Sequence, residues 1–193
     1  MPKRLLIVHA HPDAGHGHFG DALAKHYAES AEAAGHEVSW LVPAEQSFPL
    51  LKDAREWREE RPASDILAAQ RALRHAEHVV FLYPLWMGDM PALLKAWLEQ
   101  VMRPDFAFGE SEGKRPDRQL RGRSARLVVT MGMPALFYRV FYRAHSVHSF
   151  RRNILRFAGF KPVRLSLVGL VDGPDRHRRK WLARMQKLGA AGR

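Results

Sequence analysis

The sequence predicts an α/β fold: five parallel strands in one doubly wound sheet, ordered 2-1-3-4-5, with helices on both faces. Three observations predict it. Strand-like and helix-like segments alternate five times along 193 residues. Three of the strand-like runs are continuously apolar, as strands buried on both faces read. The other two alternate, and they come second and fifth, the edge positions of that order. The length suits one domain, so residues 1–193 are read as a single unit.

In chain order, Arg4 to His9 (RLLIVH) is the first continuous run. Phe19, Leu23, Tyr27 and Ala31 recur every four residues along one helical face, and Gly35 stands where a helix usually closes. Glu37 to Val42 alternates, with Val38, Trp40 and Val42 on one side. Residues 43–63 read as a loop containing Pro43, Pro49 and Pro62. Ser64 or Asp65 can cap a helix that runs to about Ala76. His78 to Leu85 is the second continuous run; Pro91 then suits a first helical turn, with Leu94, Trp97, Leu98 and Val101 as the buried stripe. A polar loop spans Glu110 to Arg123, and Arg126 to Thr130 is the third continuous run. Helix is expected between Ala135 and Phe157, a last strand from Val163 to Leu170, and a terminal helix marked by Trp181, Leu182, Met185 and Leu188.

Composition narrows the function classes. Hydrophobic residues make up 46% and charged residues 26%, a globular balance. No apolar run is long enough for a membrane helix, and the run after Met1-Pro2-Lys3-Arg4 is too short for a secretory signal, so a cytoplasmic location is the expectation. Cysteine is absent, which excludes disulfides, thiolate metal sites and thiol nucleophiles. The net charge of +11 is concentrated: residues 151–193 carry twelve Lys and Arg against Asp172 and Asp175. Such a basic end reads first as the Arg-rich surface of a soluble enzyme, and it would also suit an acidic partner or an anionic membrane surface. No nucleic-acid-binding motif accompanies it, so nucleic acid is not expected as a partner.

In the 2-1-3-4-5 order, ligands sit outside the carboxyl ends of the strands, where winding reverses between strands one and three. The loops after His9, Leu85 and Thr130 are therefore the candidates. The first (His9 to Phe19) combines His11, His16, His18, Gly15 and Gly17 ahead of a helix N-terminus, which favours a phosphate. By itself it also reads as a turn with surface histidines. The second, Tyr83 to Pro91, is apolar and aromatic, as a wall for a flat aromatic ligand would be, or a subunit contact. The third, Thr130 to Pro134, has Gly132 for close backbone approach and leads into the aromatic stretch Phe137 to Tyr142, which also reads as core.

Four segments in order, His9 to Pro12 (HAHP), Pro84 to Trp97 (PLWMGDMPALLKAW), Phe106 to Gly109 (FAFG) and Thr130 to Gly132 (TMG), resemble the flavodoxin-like NAD(P)H:quinone oxidoreductases. The resemblance covers about Arg4 to Gly132 and implies a flavodoxin-like fold with non-covalent FMN or FAD. It implies that His11, Gly17, His18 and Phe19 hold the flavin phosphate. Pro84, Leu85, Trp86, Met87 and Gly88 would line the isoalloxazine through their backbone. Thr130, Met131 and Gly132 would approach its polar end. Tyr138 and His145 match the pair that stabilises charge during reduction, and Tyr142 with His148 fits almost as well. Gly17 and Gly20 stand where the family commonly has Ser and Asn, which leaves phosphate contacts to the backbone. The implied activity is ping-pong: NAD(P)H reduces the flavin, and a quinone-like acceptor reoxidises it. A homodimer closing each site is implied too.

Two other readings stand beside it. Some relatives are ancillary subunits of potassium efflux antiporters, which would make this a flavin-binding docking protein. His11-Pro12-Asp13 also resembles the HPDD of zinc-dependent deacetylases, but Ala14 replaces one zinc ligand, leaving only His16 and His18 as substitutes. The expected metal content is none.

Overall fold

The continuously apolar runs become the central strands of the sheet. A computed structural model describes residues 1–13, 17–109 and 117–193; Ala14, Gly15 and His16 of the first loop and the first half of the expected polar loop lie outside them. Strands β1 (Arg4–His9), β3 (His78–Pro84) and β6 (Ser124–Thr130) are buried almost throughout. β2 (Glu37–Leu41) and β7 (Val163–Val168) lie at the edges. All pairings in this sheet are parallel and the order is β2-β1-β3-β6-β7, the expected 2-1-3-4-5. β4 (Phe108–Gly109) and β5 (Asp117–Arg118) form a small separate antiparallel pair that periodicity did not reveal, since two residues carry no period.

Side chains alternate across the sheet and divide the core in two. On one face Leu5, Ile7, Val80, Leu82, Val128 and Val168 pack under α1 (Phe19–Ala33) and α8 (Asp175–Ala190). On the other, Leu6, Val8, Phe81, Tyr83, Leu127 and Val129 pack with residues of α3 (Ser64–His75) and α4 (Ala92–Val101). α1 ends as read, with Gly35 at φ +83° beyond its last turn.

Three segments differ from expectation. Residues 43–63 are not all loop: Pro43–Glu45 is a 3-10 turn and α2 (Ala54–Glu59) is capped by Asp53, which accepts the Glu56 N–H at 2.8 Å. α2 buries no residue fully, so it leaves no apolar stripe to read. Trp40 is 44% exposed, because β2 is an edge strand outside the main core. The stretch 135–157 is broken. α5 (Ala135–Val140) stops before Arg143 and Ala144, both at positive φ, and α6 (His145–Ser149) runs into a π-helical turn over Phe150–Leu155 and then α7 (Arg156–Ala158). Among the described residues no helix is long and apolar enough to cross a membrane.

Candidate functional site

The winding reverses between β1 and β3, and there the first loop leaves the sheet. The Ala10 N–H donates to the Leu82 carbonyl at 2.8 Å, holding the loop's root against β3. The His11 ring is buried, and its Nδ1 accepts the Asp13 N–H at 3.1 Å, so the neutral ring carries its proton on Nε2. Burial, and next the neighbouring His18, hold the His11 pKa below the usual histidine value. The two rings stack with centroids 3.9 Å apart, and His18 Nε2 lies 3.1 Å from Asp13 Oδ2. Gly17 has φ +80°, a conformation that side-chain-bearing residues rarely adopt.

Asp21, which the loop reading did not single out, organises the start of α1. Its Oδ2 accepts the His18 N–H at 2.9 Å and its Oδ1 is 3.0 Å from His9 Nε2. The signal was present as an acid three residues into a helix start. The N–H groups of Phe19 and Gly20 have no partner among the described residues. With the dipole of a 15-residue helix behind them, they form a donor set that fits a phosphate. A cavity of about 410 Å³ beside this turn is lined by Gly17, His18, Phe19 and Ala22, and across from them by Asp175, Arg178 and Arg179 of α8, where Arg178 is ion-paired with Asp175. Sequence reading missed those arginines because the stripe Trp181, Leu182, Met185 and Leu188 marks the buried face of α8 without showing that α1 is what it meets.

The second loop is a tight turn. Trp86 and Asp89 exchange both backbone hydrogen bonds at 2.9 Å, with Met87 at φ +50° and Gly88 at φ +80° between them. This narrows the expected backbone lining. Pro84 has no N–H, the Leu85 N–H donates to the Thr130 carbonyl at 2.7 Å, and the Trp86 N–H is spent on Asp89. Of the five, Met87 and Gly88 have an N–H with no partner among the described residues. Trp86 is 47% exposed and stands edge-on to His11, 5.7 Å between centroids, which joins the first loop to the second.

The Leu85–Thr130 hydrogen bond joins the second loop to the third. There the Met131 N–H goes to the Val168 carbonyl and its carbonyl accepts from Val171, so Met131 offers a ligand no free backbone group. Gly132 does, with an N–H that has no partner among the described residues and, among them, open space on its Cα.

Tyr138, expected to act on the acceptor together with His145, lies inside the fold. Its side chain is fully buried and its hydroxyl shares a 2.7 Å hydrogen bond with Ser146 Oγ, so it is closed off from any substrate in this chain. The reason is helical geometry: on α5 Tyr138 faces inward while Phe137, Val140 and Phe141 face out. His145 is exposed, with Nδ1 3.1 Å from the carbonyl of Tyr142, itself at the surface. His148 lines a different cavity, beside β7. Among the described residues no group of three or more His, Asp or Glu is placed to hold a metal ion, and His16 lies outside them.

A parallel, doubly wound sheet whose three loops meet at the switch point defines a class: α/β proteins that take a ligand at the carboxyl edge of the sheet. Within that class the family follows. The sequence profile of the family with the flavodoxin-like fold matches residues 3–190, and the chain belongs to that family. A ribosyldihydronicotinamide dehydrogenase-like protein of Penicillium crustosum is 30% identical, over 67% of this chain and 57% of its own length. The glutathione-regulated potassium-efflux system ancillary protein of Escherichia coli is also 30% identical, over 72% of this chain and 64% of its own. The chain thus spans under two thirds of these curated relatives. An NAD(P)H:quinone oxidoreductase from Methanothermobacter marburgensis superposes with a TM-score of 0.84 at 22% identity, covering 100% of both chains. An FMN-dependent NADH-azoreductase from Bacillus anthracis superposes at 0.74 with 15% identity, covering 98% of both. At these identities the likeness is one of fold.

Proposed function

We propose that this chain is a flavin-dependent NAD(P)H oxidoreductase that reduces quinones or similar two-electron acceptors by a ping-pong mechanism. The observation that carries the reading is the convergence of a phosphate-compatible helix start, an exposed indole and three unpaired N–H groups, those of Met87, Gly88 and Gly132, on one edge of the sheet. The names of the relatives and of the structural neighbours support the same reading.

When bound, the flavin supplies a centre that takes two electrons from NAD(P)H and gives them up in a second half-reaction. The chain's own groups bind and orient. The N–H groups of Phe19 and Gly20 would hold the phosphate, with Arg179 adding charge beside it and Arg178 paired to Asp175. Trp86 walls the ring, and the N–H groups of Met87, Gly88 and Gly132 meet its heteroatoms. Tyr142 and His145 replace Tyr138 as the groups that stabilise charge on the acceptor. A second copy of the chain covers the apolar outer face at the end of α5, where Val140 and Phe141 are each about 70% exposed.

The test is reconstitution. The protein takes up FMN or FAD, turns yellow and reduces a quinone with NAD(P)H. Gly17→Val, forced to adopt φ +80° with a branched side chain, loses flavin occupancy while any holo-protein keeps its turnover. A chain that binds neither flavin refutes the reading. A second reading, an ancillary subunit of a potassium efflux system, draws on the Escherichia coli relative and is tested by co-purification with such a transporter.

A further inference from the structure

We propose that the outer edge of β7 is a docking site for an extended acidic segment of a partner protein, which adds to the sheet as a sixth strand. The inference is independent of the flavin site.

The ladder bonds from Ala125 N–H to the Pro162 carbonyl and from Met131 N–H to the Val168 carbonyl make the even-numbered residues of β7 the ones that face β6. Val163, Leu165 and Leu167 therefore turn their N–H and C=O groups outward, and among the described residues nothing pairs with them. Unpaired edges are usually blunted or covered. Here the edge forms part of a cavity of about 440 Å³, with Leu165, Ser166 and Leu167 in its lining and walls from α5–α6 and α8. An added strand would lie in that cavity, its alternate side chains directed to the two walls.

The charges select the occupant. Arg139 lines one wall and Arg184 the other, and among the described residues no carboxylate lines the cavity. Arg164 lies on the α8 side of β7, in register with Arg126 of β6. Arg126 is 5% exposed, donates to Ser166 Oγ at 2.8 Å and has no salt-bridge partner among the described residues, which adds uncompensated positive charge behind the strand. A second copy pairing β7 with β7 would bring these arginines face to face. An acidic strand meets opposite charge on both walls.

The probe is a fluorescein-labelled hexapeptide of alternating Glu and Val, followed by fluorescence anisotropy with the whole chain. Binding is expected to saturate and to weaken with salt. Leu167→Pro removes one outward N–H, leaves the ladder to β6 intact and is tolerated at an edge; it should weaken binding roughly tenfold, as losing one backbone hydrogen bond would. Arg139→Glu with Arg184→Glu should weaken it at least as much, and the Lys/Val hexapeptide should not bind. Should Leu167→Pro fail to fold, amide exchange in the native chain decides: Leu165 and Leu167 gain protection with the peptide present. The proposal is overturned if Leu167→Pro binds with full affinity, if those amides gain no protection, or if the edge instead pairs two copies in an association that Leu167→Pro abolishes.

Discussion

At the scale of the residue, two tyrosines four positions apart have opposite fates. Tyr138 is sealed against Ser146, and Tyr142 stands at the surface beside His145. Tyr138→Phe should leave turnover unchanged and lower stability by about 1–2 kcal/mol, because a buried hydroxyl loses its partner. Tyr142→Phe and His145→Gln should keep flavin content and lower turnover by about tenfold to a thousandfold. Flavin absorbance measured beside steady-state quinone reduction separates the two. If Tyr138→Phe alone slowed turnover, the buried tyrosine would have to reach the acceptor in another conformation.

Between elements, α1 and α8 approach closely. A Cβ built on Gly189 falls 2.1 Å from the Tyr27 carbonyl oxygen, which is backbone and cannot swing away. Gly189→Ala should therefore push the helices apart and cost about 1–3 kcal/mol, in spite of alanine's better helix propensity. Urea unfolding measures it, and an unchanged midpoint would mean that α8 shifts freely. The same two helices bring Arg178 and Arg179 beside the Gly17 turn, so the variant should also weaken flavin retention.

For the molecule as a whole, pH and association are the readouts. His78 is fully buried in β3, and burial followed by Arg126 lowers its pKa to about 3. The unfolded chain takes up a proton near pH 6.5 that the folded chain refuses, so this contribution is complete above about pH 6.5 and is lost as pH falls toward 3. The slope approaches about 1.4 kcal/mol per pH unit within that window. His78→Gln should flatten the acid limb of a stability–pH profile; an unchanged slope would assign acid sensitivity to other groups. Association follows from α5. Light scattering should give twice the 22.1 kDa chain mass, and Phe141→Asp, placing a charge in the apolar outer face, should give the monomer.

The strand order was legible because burial on two faces leaves a continuous apolar run and an edge leaves an alternating one. Arg4 to His9 and Glu37 to Leu41 show the difference. The three loops were legible for the same reason, since the order of strands decides where winding reverses. α2 was not, because a helix that buries nothing writes no period into the sequence. Nor was the fate of Tyr138, because an aromatic run reads alike whichever residue turns inward. That Leu85 and Met131 spend their N–H groups on distant carbonyls also depended on tertiary structure, as did the approach of Arg178 to Gly17 and the open edge of β7. Each is set by a partner distant in sequence: the Thr130 carbonyl, the α1–α8 crossing, the absent neighbour beyond β7. Local propensity and periodicity record how a segment meets solvent and core, whereas hydrogen-bond vacancies and charge clusters exist only once distant segments are brought together.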